Sequence, residues 1–340
     1  MRLFRWISAL ALALSGPAAA QGSQPSFVPV LRQNFPDAFV LPHGSEFIAY
    51  STNDGPNVPV AVSRDLVHWS IATDPTTGKQ RDAMPRLGVW AKTGFTWAPE
   101  VMQLGDKYLL YYTASDRRKN AQCVGVAVAS DPLGPFVDSN PDPILCQTKL
   151  GGTIDASPLR DADGKLYLYF KNDGNRVHER TSLWGQALAP DGLSVVGEPV
   201  ELLKDDQGWE ERVVEAPTMV RSPAGYDLFF SGGFFGWNPG EGGLSPYGMG
   251  YASCSGPLGP CKAAPDNPLL HSFRDKQAGC LSGPGHQSIF SYAGHTFLSF
   301  HAWAATPSCS KGEDARYLYI APLFWRDGKP VIGVGLRPKS

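Results

Sequence analysis

Gly152-Thr-Ile-Asp155-Ala-Ser-Pro158-Leu-Arg-Asp161-Ala-Asp-Gly-Lys165-Leu-Tyr-Leu-Tyr-Phe170 is the stretch that decides the fold. One acidic residue heads a short apolar run, the chain turns at Asp-Gly, and a strand of aliphatic and aromatic residues follows. Aromatic and β-branched runs bounded by Gly, Asp and Asn read as strands. The pattern recurs four times. Its second strand returns as Phe47-Ile-Ala-Tyr50, Tyr108-Leu-Leu-Tyr-Tyr112, Tyr226-Asp-Leu-Phe-Phe230 and Thr296-Phe-Leu-Ser-Phe300. The polar heads Asp37, Glu100, Asp155, Glu215 and His286 stand 63, 55, 60 and 71 residues apart. Long helical periodicity is nearly absent. A repeat of several short strands over about 40–50 or more residues marks propeller blades. The expected fold is therefore all-β, a single five-bladed β-propeller over residues 21–340.

Residues 1–20 read as an export signal: Arg2 and Arg5, an apolar run from Ile7 to Leu14, then Ala18-Ala19-Ala20 ahead of Gln21. That run is too short to span a bilayer and none later approaches the length, so no membrane partner is expected. The expected destination is the periplasm or the outside of the cell. Net charge is −2 with 18% charged residues and no basic stripe, which argues against nucleic acid. Gly (37) and Pro (30) lie throughout the chain and imply many turns. An even six cysteines in an oxidising space favour disulfides. Fifteen pairings are open; proximity favours Cys123–Cys146, Cys254–Cys261 and Cys280–Cys309. The spacings are too irregular for zinc.

The innermost strands of a propeller begin at the central channel, so the five heads should converge there. Gathered carboxylates repel one another, which costs stability unless they serve a purpose. Breaking a glycosidic bond is such a purpose. It needs one carboxyl to protonate the leaving oxygen and a second to activate water or attack. Acyl transfer fits poorly without a Gly-x-Ser-x-Gly elbow. A nucleotide cofactor fits poorly without a Gly-rich phosphate loop.

Five ordered motifs from about Phe27 to Gly333 resemble glycoside hydrolase family 43, five-bladed propellers acting on arabinan and xylan. Asn34-Phe-Pro-Asp37-Ala-Phe-Val resembles its first-blade motif, which implies that Asp37 is the general base. Thr96-Trp97-Ala-Pro-Glu100-Val resembles its second-blade signature, which lines the site. Gly152-Thr-Ile-Asp155 resembles the third, implying that Asp155 tunes and orients the acid. Val214-Glu215-Ala-Pro-Thr resembles the fourth, implying that Glu215 is the general acid, with Ala216 where the family usually has Gly. Gly283-Pro-Gly-His286-Gln-Ser resembles the fifth, whose His lies on the axis against water or a central ion. Ala315-Arg316-Tyr resembles the segment whose Arg contacts substrate. The resemblance implies inversion, with the Asp37 and Glu215 carboxyls about 6.5–9.5 Å apart. No cofactor is expected to be required, and a calcium ion near His286, held through water, is the metal reading.

The Gly-rich aromatic stretch from Gly232 to Gly243 reads as a rim loop carrying Phe234, Phe235 or Trp237 to sugar, since rings stack on apolar sugar faces. Trp97 reads as pocket wall or blade packing. His301 reads as a blade-core residue, Glu210 and Glu211 as solvated acids, and Arg117-Arg118-Lys119 as a wet loop. A fructan-cleaving propeller is disfavoured by Asn34-Phe-Pro-Asp-Ala and the lack of an Arg-Asp-Pro element. A sugar-binding propeller without catalysis would not need acid, base and tuning carboxylate together. The expected protein is a monomer acting on arabinan, arabinoxylan or derived oligosaccharides, as an α-L-arabinofuranosidase or arabinanase, with β-xylosidase as the alternative. Exo or endo action depends on rim loops and stays open.

Overall fold

The computed structural model describes residues 25–237 and 243–337; the expected export signal lies outside them. Apart from three short 3₁₀ turns, the regular elements among the described residues are strands. They form five antiparallel blades and a separate two-stranded ribbon, Phe273–Asp275 with Gly279–Leu281. The first holds Phe39–His43, Glu46–Tyr50, Val60–Ser63 and Trp69–Ile71. The second holds Trp97–Leu104, Lys107–Ser115 and Gln122–Ala129. The third holds Thr153–Arg160, Leu166–Asn172, Ser182–Leu188 and Val195–Lys204. The fourth holds Val214–Ser222, Gly225–Gly232, Gly248–Cys254 and Cys261–Ala263. The fifth holds Gly285–Tyr292, His295–Ala305, Lys311–Arg326 and Lys329–Ile332.

The second strand of each blade explains the repeat. Successive side chains of a strand point to opposite faces, and both faces of a blade are covered by neighbouring blades. Tyr108, Leu110 and Tyr112 therefore pack towards the first blade, while Leu109 and Tyr111 pack towards the third. Leu168 and Phe170 face the second blade, and Tyr167 and Tyr169 face the fourth. Burial on both faces turns the expected polar–apolar alternation into a continuous apolar run. Each apolar cluster fills one gap between adjacent blades. Truncating one fully buried ring, such as Phe170→Ala, should cost about 3–5 kcal/mol.

The ring closes at the fifth blade. Val30 N–H donates to Leu318 O (2.9 Å) and Phe35 N–H to Arg316 O (2.8 Å), so the segment before the first blade lies along a strand of the last. Disulfides join Cys123–Cys146, Cys254–Cys261 and Cys280–Cys309, the pairing that proximity favours.

Candidate active site

The inner strands share one irregularity. Pairing with the second strand slips between Trp97 and Glu100, Ile154 and Ser157, Glu215 and Thr218, and Gly285 and Ser288. Each slip is a β-bulge: one extra residue bends the strand and re-aims a side chain. The residue after each slip begins has positive φ: Ala98 44°, Asp155 58°, Ala216 51° and His286 49°, with Asp37 at 57° in the first blade. Left-handed backbone is costly for residues other than glycine and gathers at functional sites.

This geometry corrects the equivalence expected of the five heads. Asp155 and His286 occupy the bulge apex and Asp37 has the same left-handed backbone ahead of the first strand, but Ala98 and Ala216 hold the positive-φ position in the other two blades. Glu100 lies two residues past its apex and Glu215 one residue before. An extra residue in a bulge leaves no mark on composition, so the register is invisible in the repeat.

A ring of hydrogen bonds ties the apices together. Ala98 N–H donates to Thr52 Oγ1 (2.9 Å) and Asp155 N–H to Thr113 Oγ1 (3.3 Å). His286 N–H donates to Ser231 Oγ (2.8 Å) and Asp37 N–H to His301 Nδ1 (3.1 Å). The acceptor sits on the second strand of the preceding blade, or, for Thr52, two residues past its end. The fourth apex differs, because the corresponding residue is Lys171, which cannot accept. Ala216 N–H turns instead to Asp155 Oδ2 (3.0 Å).

Asp37 is held as a carboxylate. Arg316 Nη1 lies 3.1 Å from Oδ1, His286 Nδ1 lies 3.4 Å from it, and Thr52 Oγ1 donates to Oδ2 at 2.5 Å. Burial pushes its pKa up, but Arg316 and then His286 outweigh that and hold it well below the usual carboxylate range. His301 is buried as expected, yet it belongs to the site: it accepts from the Asp37 backbone, and burial with Arg316 pushes its pKa down to about 4. Arg316, expected on substrate, donates from Nη1 to Asp37.

Glu215 accepts from Lys171 Nζ at Oε2 (3.0 Å) and from the Tyr247 hydroxyl at Oε1 (2.5 Å). Burial opposes ionisation there, but Lys171 and Tyr247 hold Glu215 below its ordinary range. Asp155 goes the other way, raised to about 6 by burial, with Glu215 adding to the rise. The resemblance implies that Asp155 tunes and orients Glu215, and its Oδ2 holds the N–H of the neighbouring Ala216. Glu100 is raised to about 8, by burial first and with Asp155 contributing.

Tyr247 connects the two halves, since its ring stacks on His301 with centroids 5.8 Å apart. Gly285 makes room: a Cβ there would lie 2.1 Å from the Tyr247 ring. Phe234 and Phe235 are 49% and 45% exposed at the rim, and Trp303 Nε1 donates to Phe235 O (2.8 Å). The Arg316 guanidinium lies 5.4 Å from the Phe235 ring centroid, so this rim aromatic also flanks the partner of Asp37. Residues 238–242 of that loop lie outside the described residues. Trp97 is half-buried and packs on Phe95. Glu210 is not solvated: it is buried as the capping-box partner of Gln207, whereas Glu211 is exposed. No group of three or more His, Cys, Asp and Glu among the described residues is arranged to hold a metal. Nδ1 of His286 faces Asp37, so this donor set does not fit a directly ligated calcium ion, a hard cation that takes oxygen ligands.

The profile described as "Glycosyl hydrolases family 43" matches residues 27–330. The chain belongs to this family. The family 43 chain is a glycosidase. It is 26% identical to the extracellular exo-α-(1→5)-L-arabinofuranosidase ArbA of Cellvibrio japonicus, over 95% of this chain and 90% of that protein. It is 27% identical to a β-xylosidase of Bacillus subtilis, over 89% of this chain and 56% of that protein. The crystal structure of a thermostable family-43 glycoside hydrolase superposes with a TM-score of 0.73 at 26% identity, covering 91% of this chain and 95% of that one. Thr52, Lys171, Tyr247 and His301 are the site residues that reading from the sequence missed. Thr113, Lys171, Ser231 and His301 each directly follow the aromatic run of their strand, and Thr52 stands two residues past Tyr50, a signal that could have found four of the ring positions and Lys171.

Proposed function

We propose that this family 43 hydrolase is an exported α-L-arabinofuranosidase or arabinanase that acts with inversion. Asp37 takes a proton from water as the water oxygen bonds to the anomeric carbon. The glycosidic C–O bond breaks on the opposite face, and Glu215 gives its proton to the departing oxygen. Asp155 holds the Ala216 N–H beside the acid, and Arg316 with His286 keeps the base ionised. The observation that carries this reading is the separation of environments: Asp37 lies against the Arg316 guanidinium and the His286 and His301 rings, while Asp155 and Glu215 form a buried, interacting carboxyl pair beside Lys171 and Tyr247. Environments that push carboxyl pKa values apart mark acid and base assignments.

The arabinose preference is supported by ArbA, an arabinofuranosidase that aligns over 95% of this chain and 90% of its own length. Export is supported by the basic–apolar–small order of residues 1–20 and by three disulfides. One preparation assayed on nitrophenyl arabinofuranoside, nitrophenyl xyloside and linear arabinan tests the substrate. Proton NMR of the first-formed sugar tests inversion. D37A and E215A should fold and lose turnover, with E215A retaining activity on sugars bearing a strongly acidic phenol. Normal turnover of a poor leaving group by E215A would remove Glu215 from its role.

A further inference from the structure

Four of the five positions at or just past the end of the second strand's aromatic run hold a side chain that accepts the next blade's apex N–H: Thr52, Thr113, Ser231 and His301. Lys171 holds the fifth, opposite Ile154. A threonine there would complete the ring without burying a charge, and burying an amine is costly unless the charge is used. Lys171 is fully buried, and its ammonium donates to Glu215 Oε2 and to Asn175 Oδ1, both at 3.0 Å. The lost acceptor is made good by Asp155. The site thus gives up a regular bond to place a positive charge against one oxygen of Glu215.

We propose that Lys171 is a positioning residue for hydrolysis: its ammonium fixes the Glu215 carboxyl through Oε2, leaves Oε1 to Tyr247, and sets the upper pH limit of turnover. The inference rests on Glu215 being the acid. The titratable and charged groups facing Glu215 are Lys171 from the second strand of the third blade, Asp155 from its inner strand, Asp173 just past Lys171, Tyr247 ahead of the third strand of the fourth blade, and His286 from the fifth. Asp155 and Asp173 disfavour ionisation of Glu215; Lys171 is the lysine that favours it. A general acid works only while protonated, so a cation that favours its ionised form brings the alkaline limb of the pH profile down.

The test is the pH dependence of kcat/KM for wild type, K171M, K171T and K171R, on an arabino- or xylo-oligosaccharide that the wild type hydrolyses, whose poor leaving group depends on the acid. K171M and K171T should move the alkaline limb up by about 1–3 pH units, the usual effect of losing an adjacent opposite charge. The acidic limb, set by Asp37, should stay, and K171R should leave both limbs near their wild-type positions. K171T carries the same expectation as K171M and restores the residue type of the first two blades, so it serves if K171M does not fold. An alkaline limb unmoved in folded K171M or K171T overturns the proposal. E215A measured beside them separates the two failures. If E215A loses poor leaving groups while the lysine variants keep the limb, only the role of Lys171 falls. If E215A turns over normally, the acid assignment falls first.

Discussion

Replacing Arg316 by methionine removes the cation that lies 3.1 Å from Asp37 Oδ1. Coulomb's law at about 3 Å with an effective dielectric of about 20 gives about 5 kcal/mol of attraction, which is about four pH units if nothing else responded. His286 stays in place, and water enters the space the guanidinium leaves. The expected rise in the Asp37 pKa is therefore about 1–3 units. As the proposed base Asp37 works ionised, and its folded-state pKa is depressed. The acidic limb of kcat/KM should accordingly move to higher pH by that amount in R316M, while the alkaline limb stays. The same depression contributes folding stability that is present above the unfolded carboxylate pKa and is lost as pH falls through the folded one. R316M should therefore lose less stability on acidification than wild type. Profiles on a nitrophenyl glycoside, with urea unfolding at neutral and acidic pH, read both effects. R316K keeps a charge and should move the limb less. A folded, active R316M with an unmoved acidic limb would refute the argument that Arg316 sets the ionisation of the base.

Gly285→Ala drives a Cβ into the Tyr247 ring, which must leave Glu215; kcat should fall about 10–100-fold in a folded protein, and stopped assays showing wild-type kcat would disprove the buttressing. Ala216→Gly relieves a left-handed alanine at φ 51°. Strain relief of about 1–2 kcal/mol, less the added freedom of glycine when unfolded, should leave the variant about 1 kcal/mol more stable in urea; a lower midpoint would show the strain to be absent. Glu100 keeps its proton to about pH 8 in the fold, against an ordinary 4.5. The unfolded chain releases that proton first, so stability falls as pH rises between those values, and E100Q should be about 3 kcal/mol more stable at pH 7 with no gain below pH about 4. Equal stabilities at neutral pH would show Glu100 to be ionised.

The blades were legible because a strand buried on both faces must be apolar at every position, and aromatic runs such as Tyr108-Leu-Leu-Tyr-Tyr112 say so without an alignment. Asp37, Asp155, Glu215 and His286 were legible as polar residues at the heads of apolar strands. Their register was not. A bulge inserts one residue without changing its type, so Glu100 and Glu215 looked equivalent to Asp155 though they flank the apex. Lys171, Tyr247 and His301 escaped for another reason. Each lies inside or beside a run whose packing role explains it sufficiently, and only the fold shows that the end of that run reaches the axis. Glu210 was misread because a capping carboxyl looks like any surface acid until its turn is seen.

The seam at the fifth blade has a consequence for when the protein becomes active. Arg316 reaches Asp37 only after the segment around Asn34 has docked on the last blade, where Asn34 Oδ1 also receives the Arg316 N–H at 3.0 Å. Synthesis delivers the proposed base, Asp37, early and its guanidinium partner, Arg316, nearly three hundred residues later. In an unclosed intermediate Asp37 stays in water and ionised without help; closure both buries it and brings the guanidinium that offsets the burial, so the proposed base takes its final environment with circularisation rather than with the individual sheets.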